Sequence, residues 1–212
     1  MNNISYDKHS LEFTQDLILI SNHFHQYFEK TNSNIVNLII PFPRVEIDSN
    51  IIASVHRNII FNSIDLEKEG ISEKFRTRTS WAGPTGCHIE NSRVIFLNHA
   101  LIDSAMNIIV QDYNEFTFNI NDWRNYNLEN FFKFIIFYRN FIGIHPFTDG
   151  NGRTARGLLF NMKSNDLYQN KFEYYLSKTK GNHNMFLNQW FFENYFENFV
   201  KIFIKIHYLS MK

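Results

Sequence analysis

The chain has 212 residues, 44% apolar and 17% aromatic with Phe alone at 23, so one domain with a well-filled core is expected and an intrinsically disordered chain is excluded. Lys plus Arg and Asp plus Glu balance at 21 each, which removes any global field for nucleic acid or an anionic membrane and leaves phosphate binding as a local matter. The single cysteine, Cys87, excludes an internal disulfide framework; the opening MNNISYDKHS has no secretory-signal pattern and no apolar run reaches about 18 residues, so a cytoplasmic protein is expected.

Apolar residues recur at helical spacing over 11–30 and again over 51–61, and the intervening PFPRVEIDSN, with two prolines and no period, is a connection. From Phe75 to Phe96 the texture changes: FRTRTS is polar, WAGPTG is a turn cluster and CHIENSRVIF opens on β-tolerant residues, which predicts a hairpin or extended flap. Helical spacing resumes over 98–112. It is strongest over 127–145, where Leu128, Phe131, Phe132, Phe134, Ile135, Ile136, Phe137, Phe141 and Ile142 leave almost no polar face and predict a helix buried at the domain centre. Pro146 disfavours helical geometry at His145, so the helix should end there, and DGN should turn the chain into a second helix over 152–164. A last long helix is expected over 184–208. The fold class is therefore mainly α, one domain over 1–212 with one hairpin.

Gly is scarce, 8 in all, yet four fall between Gly143 and Gly157, around the segment HPFTDGNGRTAR at 145–156. A glycine-bearing loop that feeds a helix N-terminus presents backbone N–H groups and the positive end of the helix dipole, an anion site. Gly150 and Gly152 permit close backbone approach, and Arg153 and Arg156, three apart on the following helix, can hold phosphate oxygens from one face. No GxxxxGK[ST] and no GxGxxG after a strand is present, so the loop is neither a P-loop nor a dinucleotide fingerprint. Asp149 offers one oxygen ligand, which suits Mg²⁺ held by a carboxylate and substrate phosphates, and His145 can act as a general base near neutral pH. Taken together the residues suit transfer of a phosphoryl or nucleotidyl group from a Mg²⁺-bound nucleotide to a hydroxyl.

The segment closely resembles the HxFx[D/E]GNGRxxR signature of the Fic family, matching at His145, Phe147, Asp149, Gly150, Asn151, Gly152, Arg153 and Arg156. The upstream order of helix, flap and buried helix is similar too, so the resemblance covers roughly 50–165 and implies a Fic-type helical bundle with its β-hairpin flap beside the active site. It implies adenylylation: AMP passes from ATP to a Ser, Thr or Tyr hydroxyl of a target protein, with autoadenylylation, and pyrophosphate leaves. On that resemblance His145 is the base, Phe147 the apolar anchor of the loop and Asp149 the Mg²⁺ ligand. Asn151 with the N–H groups of Gly150 and Gly152 forms the anion hole, and Arg153 and Arg156 contact phosphates. The flap receives the target as an added strand, with Arg76, Thr77, Arg78, Thr79, Ser80 and Trp81 as docking candidates.

Many Fic proteins are restrained by a helix carrying [S/T]xxxE[G/N]. Here the one Ser or Thr four residues before a Glu is Ser63, before Glu67, and Lys68 follows it where Gly or Asn belongs. Relaxed matches fall at Glu193-Asn194, Glu197-Asn198 and Glu69-Gly70, so Glu193 or Glu197 in the C-terminal helix and an antitoxin-like partner protein stand equally as sources of restraint.

Plainer readings remain beside these. Asp149 can cap a helix. His23, His25, His56, His88, His99, His183 and His207 are scattered and fit surface or core positions. Cys87 has no basic neighbour to lower its pKa and is expected to be inert. The aromatic run Trp190, Phe191, Phe192, Tyr195, Phe196 and Phe199 fits core or a homo-oligomer contact better than base stacking. Rival activities are a relative using UMP, phosphate or phosphocholine, a de-AMPylase, and a non-catalytic nucleotide-binding module. Gly152 argues against the kinase branch of the family, which has lysine there.

Overall fold

The computed structural model describes residues 47–61, 75–82, 94–115, 123–161, 166–193 and 197–212. The helix expected over 11–30, the flap tip with Cys87, and the Glu67 and Glu69 matches lie outside these residues. The described chain is mainly helical, with a small two-strand antiparallel hairpin. None of the described helices is long and apolar enough to cross a membrane. The chain divides into two compact units: the first takes described residues between 46 and 117 together with 136–158, the second those between 118 and 135 together with 159–212.

In the first unit, α1 (Ser49–Phe61) starts where the Asp48 carboxylate accepts the Ile51 N–H at 2.7 Å, an N-cap that satisfies a first-turn donor. Its stripe of Ile52, Val55, His56 and Ile60 is buried. Strands β1 (Trp81–Ala82) and β2 (Val94–Ile95) pair with Trp81 opposite Ile95 and Ala82 opposite Val94. The helix expected over 98–112 is a 3₁₀ turn, His99–Leu101, and then α2 (Ile102–Glu115); Asn98 caps the turn by accepting the Ala100 N–H at 3.1 Å. Asn114 in α2 holds the chain entering α1, donating to the Ile47 carbonyl at 2.6 Å and accepting its N–H at 3.1 Å.

Helix α3 (Trp123–Ile144) contributes residues 136–144 to this unit, and Ile136, Phe137, Tyr138, Phe141 and Ile144 are all buried, as its all-round apolar sequence requires. Helix α4 (Asn151–Asn161) follows the glycine-bearing loop. A Cβ on Gly157 of α4 would lie 2.7 Å from both Val55 Cγ1 and Ile59 Cδ1, so a glycine is what allows α1 and α4 to approach closely.

The second unit departs from the sequence expectation. The single helix expected over 184–208 is two: α5 (Asp166–Glu193) and α6 (Glu197–Met211). They pack antiparallel. Trp190 meets Phe199, His183 meets Phe199 and Phe203, Phe172 meets Phe203, and the Tyr168 hydroxyl shares a 2.8 Å hydrogen bond with His207 Nδ1. Folding back buries both aromatic faces against each other, where one continuous helix would leave them in water. Trp190, Phe199 and Phe203 are core residues.

Candidate active site

The last turn of α3 determines how His145 is presented. Its N–H still bonds the Phe141 carbonyl at 2.9 Å, but Pro146 ends the helix and His145 adopts φ 53°, the left-handed region usually given to glycine at a helix C-terminus. Such a conformation costs a non-glycine residue about 1 kcal/mol or more, so neighbours must hold it. One is Phe96, immediately after β2, whose ring is stacked on the imidazole with centroids 3.8 Å apart and planes 9° apart. Another is the Ile142 carbonyl, 3.4 Å from His145 Nδ1; donation from Nδ1 leaves the lone pair on Nε2. Burial pushes the imidazole pKa down to about 4, and the Arg76 charge acts in the same direction, against the Ile142 carbonyl and Asp149. The side chain is therefore neutral at physiological pH and able to accept a proton.

Phe147 anchors the following loop. It is buried against Phe75 and Phe141, and its ring is stacked on the buried His56 at 3.6 Å and 7°. His56 Nε2–H also donates to the Asp149 carbonyl at 3.1 Å, so one α1 side chain supports the loop at two points. Asn151 does likewise from the other end: its Oδ1 accepts the Phe147 N–H at 2.9 Å and its Nδ2 donates to the Phe147 carbonyl at 2.8 Å. The Asn151 side chain, grouped above with the anion hole, thus also holds the shape of the loop. Gly150 has φ 80°, and a Cβ there would stand 2.9 Å from Ile60 Cδ1. The positive φ calls for glycine, and the contact adds a smaller cost that a shift of the Ile60 side chain can relieve.

Gly150 precedes α4 and Asn151 to Arg153 open its first turn, whose N–H groups lack intrahelical acceptors and carry the positive end of the dipole. The Asp149 carboxylate is exposed and paired with Arg153 at 2.8 Å. Arg156 is half-buried, and its Nη1 lies 3.3 Å from where a Cβ on Gly152 would be, so the guanidinium lies over that glycine. No group of three or more His, Cys, Asp or Glu side chains among the described residues could form a metal cage. Asp149 offers one half of a carboxylate–phosphate site, a donor set suited to a hard, oxygen-seeking cation that keeps its waters.

Of the six flap residues, Thr77, Arg78 and Thr79 are exposed, Trp81 is 42% exposed, and the Ser80 carbonyl accepts the Phe96 N–H at 3.0 Å. Arg76 differs from them: it is buried, and its guanidinium is bonded to backbone carbonyls. The Glu197 carboxylate pairs with Lys201 in its own helix at 3.1 Å, and Glu193 ends α5. Sequence reasoning missed the parts played by His56, Phe96 and Arg76. For His56 a signal existed, since it interrupts the apolar stripe of α1 and a buried histidine needs a partner; for Phe96 and Arg76 the contacts are long-range.

A search of curated proteins finds no match to this chain. The sequence profile of the Fic/DOC family matches residues 46–162, more than half of the chain and inclusive of α1, the hairpin, α2, α3 and α4. With His145, Phe147, Asp149 and the α4 first turn assembled as described, the chain belongs to the Fic/DOC family and carries a Fic-type transferase domain.

Proposed function

We propose that this protein is an adenylyltransferase that moves AMP from ATP to a Ser, Thr or Tyr hydroxyl of a target protein and also modifies itself. The observation that carries this reading is the placement of His145, held by Phe96 and the Ile142 carbonyl immediately before a glycine-bearing loop that feeds a helix N-terminus. His145 Nε2 takes the proton of the attacking hydroxyl. The hydroxyl oxygen bonds to the α-phosphorus of ATP, the bond to the β-phosphate oxygen breaks, and pyrophosphate leaves. A base with a pKa near 4 is weak in the free protein, but phosphate anions bound beside it favour the imidazolium and raise its proton affinity when substrate is present. The first-turn N–H groups of α4, Arg153 and Arg156 neutralise the charge that develops on the phosphate oxygens.

Asp149 is the residue that would hold Mg²⁺, which when bound screens the phosphate charge. For Asp149 to serve it, the pairing with Arg153 must open, which frees the guanidinium for phosphate at the same time. The exposed Thr77, Arg78, Thr79 and Trp81 support docking of an extended target segment along the hairpin. Restraint is assigned to a partner protein or to Glu193 or Glu197. With Glu197 bonded to Lys201, Glu193→Gly is the more informative change, and a sharp rise in autoadenylylation would place the inhibitor within the chain.

Incubating a lysate with the protein, ATP and Mg²⁺, followed by peptide mass spectrometry, tests the reading. A gain of AMP on Ser, Thr or Tyr supports it and names the target. A gain of UMP, phosphate or phosphocholine when those donors are offered, or no gain with any of them, replaces it with the matching transferase or with a non-catalytic module.

A further inference from the structure

We propose that Arg76 is a positioning residue for His145: it fixes the end of α3 to the foot of the hairpin and so sets where the imidazole points. The proposal deepens the transferase reading and rests on it for the role of His145.

Arg76 is buried, and no carboxylate among the described residues pairs with it. Its charge is met by carbonyl dipoles. Nε donates to the His145 carbonyl at 2.7 Å, Nη1 to the Arg78 carbonyl at 2.6 Å, and Nη2 to the Leu97 carbonyl at 2.5 Å and the Ile144 carbonyl at 3.1 Å. The Arg76 backbone N–H donates to the Pro146 carbonyl at 2.8 Å. Carbonyls 144, 145 and 146 flank the one non-glycine residue among those described with positive φ, so Arg76 holds His145 on both sides of the backbone rotation that aims its ring. Ile144 and His145 also lie at the negative end of the α3 dipole, where the last carbonyls lack intrahelical donors and a cation is favoured.

The remaining two bonds reach the hairpin. Arg78 precedes β1 and Leu97 follows Phe96, the residue stacked on the His145 imidazole. One guanidinium therefore holds the backbone of the base and the carbonyl of the residue next to the ring that packs on it. Only a planar fork with donors in several directions can satisfy acceptors from both elements; an ammonium at the end of a flexible stem cannot. A displacement of about 1 Å at a reacting group costs on the order of a hundredfold in rate, which is the scale such a tether protects.

The test compares wild type with Arg76→Lys and Arg76→Ala in the full-length protein. Measured first is autoadenylylation as kcat and KM for ATP. Read separately are the imidazole ¹H–¹⁵N correlations of His145, assigned by their loss in His145→Ala. Arg76→Lys is expected to lower kcat about a hundredfold with KM for ATP unchanged, because ground-state nucleotide binding does not use Arg76. The single Nδ1–H tautomer of His145 is expected to give way to averaged signals. Millimolar guanidinium added to Arg76→Ala is expected to restore part of kcat. Wild-type kcat together with a wild-type His145 spectrum in Arg76→Lys overturns the proposal. So does loss of the cooperative thermal transition in Arg76→Lys, which would make Arg76 a strut of the whole fold. If wild type itself transfers no AMP, the adenylyltransferase reading fails, while the His145 spectrum still decides whether Arg76 positions the ring.

Discussion

The ring of Phe96 lies flat on the imidazole of His145, 3.8 Å between centroids, and joins the strand end of the hairpin to the residue proposed as the general base. Stacked aromatic pairs contribute about 0.5–1.5 kcal/mol beyond area burial, and removing a buried Phe leaves a cavity as well. Phe96→Ala is expected to destabilise the protein by about 3 kcal/mol and to lower kcat at least tenfold, since the imidazole regains rotational freedom. Phe96→Tyr, which keeps the ring, is expected to retain most of the rate. Urea unfolding and autoadenylylation assays check both.

The lowered pKa of His145 has two consequences of stated sign. As the proposed base, it stays neutral as pH falls, so kcat/KM should hold level from about pH 8 past the ordinary imidazole value and drop only as pH nears 4. For stability, the unfolded chain binds the proton more readily than the folded one. The contribution of His145 is therefore complete above its unfolded value of 6.5 and is lost as pH falls toward about 4. His145→Ala is expected to abolish transfer, to leave ATP binding largely intact, and to flatten the stability profile over that window in thermal scans.

His56 supports the catalytic loop through a stack on Phe147 and a hydrogen bond to the Asp149 carbonyl. His56→Phe keeps the first and removes the second, so a loss of about 1 kcal/mol is expected. His56→Ala removes both and opens a cavity, with a loss of about 3 kcal/mol. If the loop is what both variants disturb, the weaker affinity for ATP should follow the same order, measured by calorimetry.

Gly150→Ala meets two obstacles, a φ of 80° and Ile60 Cδ1 at 2.9 Å from the new Cβ. A cost of about 1–3 kcal/mol is expected. Adding Ile60→Val relieves the clash but not the dihedral, so the double variant should recover stability only in part, as a denaturant-unfolding cycle will report.

Asp112 in α2 is a carboxyl whose pKa is pushed up to about 6 by burial and, secondarily, by the Glu115 charge. Raised above its unfolded value, it opposes folding progressively as pH rises from about 4 to 6. Asp112→Asn should raise the unfolding temperature at pH 7 and leave it nearly unchanged near pH 4. Partial exposure screens the effect to less than about 1 kcal/mol.

Much of this protein was legible in the sequence because the determining information is local. The apolar run of α3, the proline after His145 and the spacing of HPFTDGNGRTAR fix a buried helix, its end, and a glycine-bearing turn into α4, each through interactions within a few residues. The same locality misled at the C-terminus. Continuous helical spacing over 184–208 does not say whether an aromatic face continues or folds back, and the part of α5 before residue 184 escaped notice because its buried Tyr168, Phe172, Leu176 and His183 are diluted by polar residues.

Tertiary structure alone decided how His145 is held. Phe96 lies 49 positions from His145 in sequence, His56 lies 93 from the Asp149 carbonyl, and Arg76 lies 68 and 69 from the carbonyls of Ile144 and His145. A sequence motif records which groups perform chemistry; no local pattern marks the residues that orient them, because their contribution is a matter of packing and direction between distant segments. A histidine in a motif is therefore visible in one dimension, and the φ of 53°, the stacked ring and the buried guanidinium that aim it belong to three.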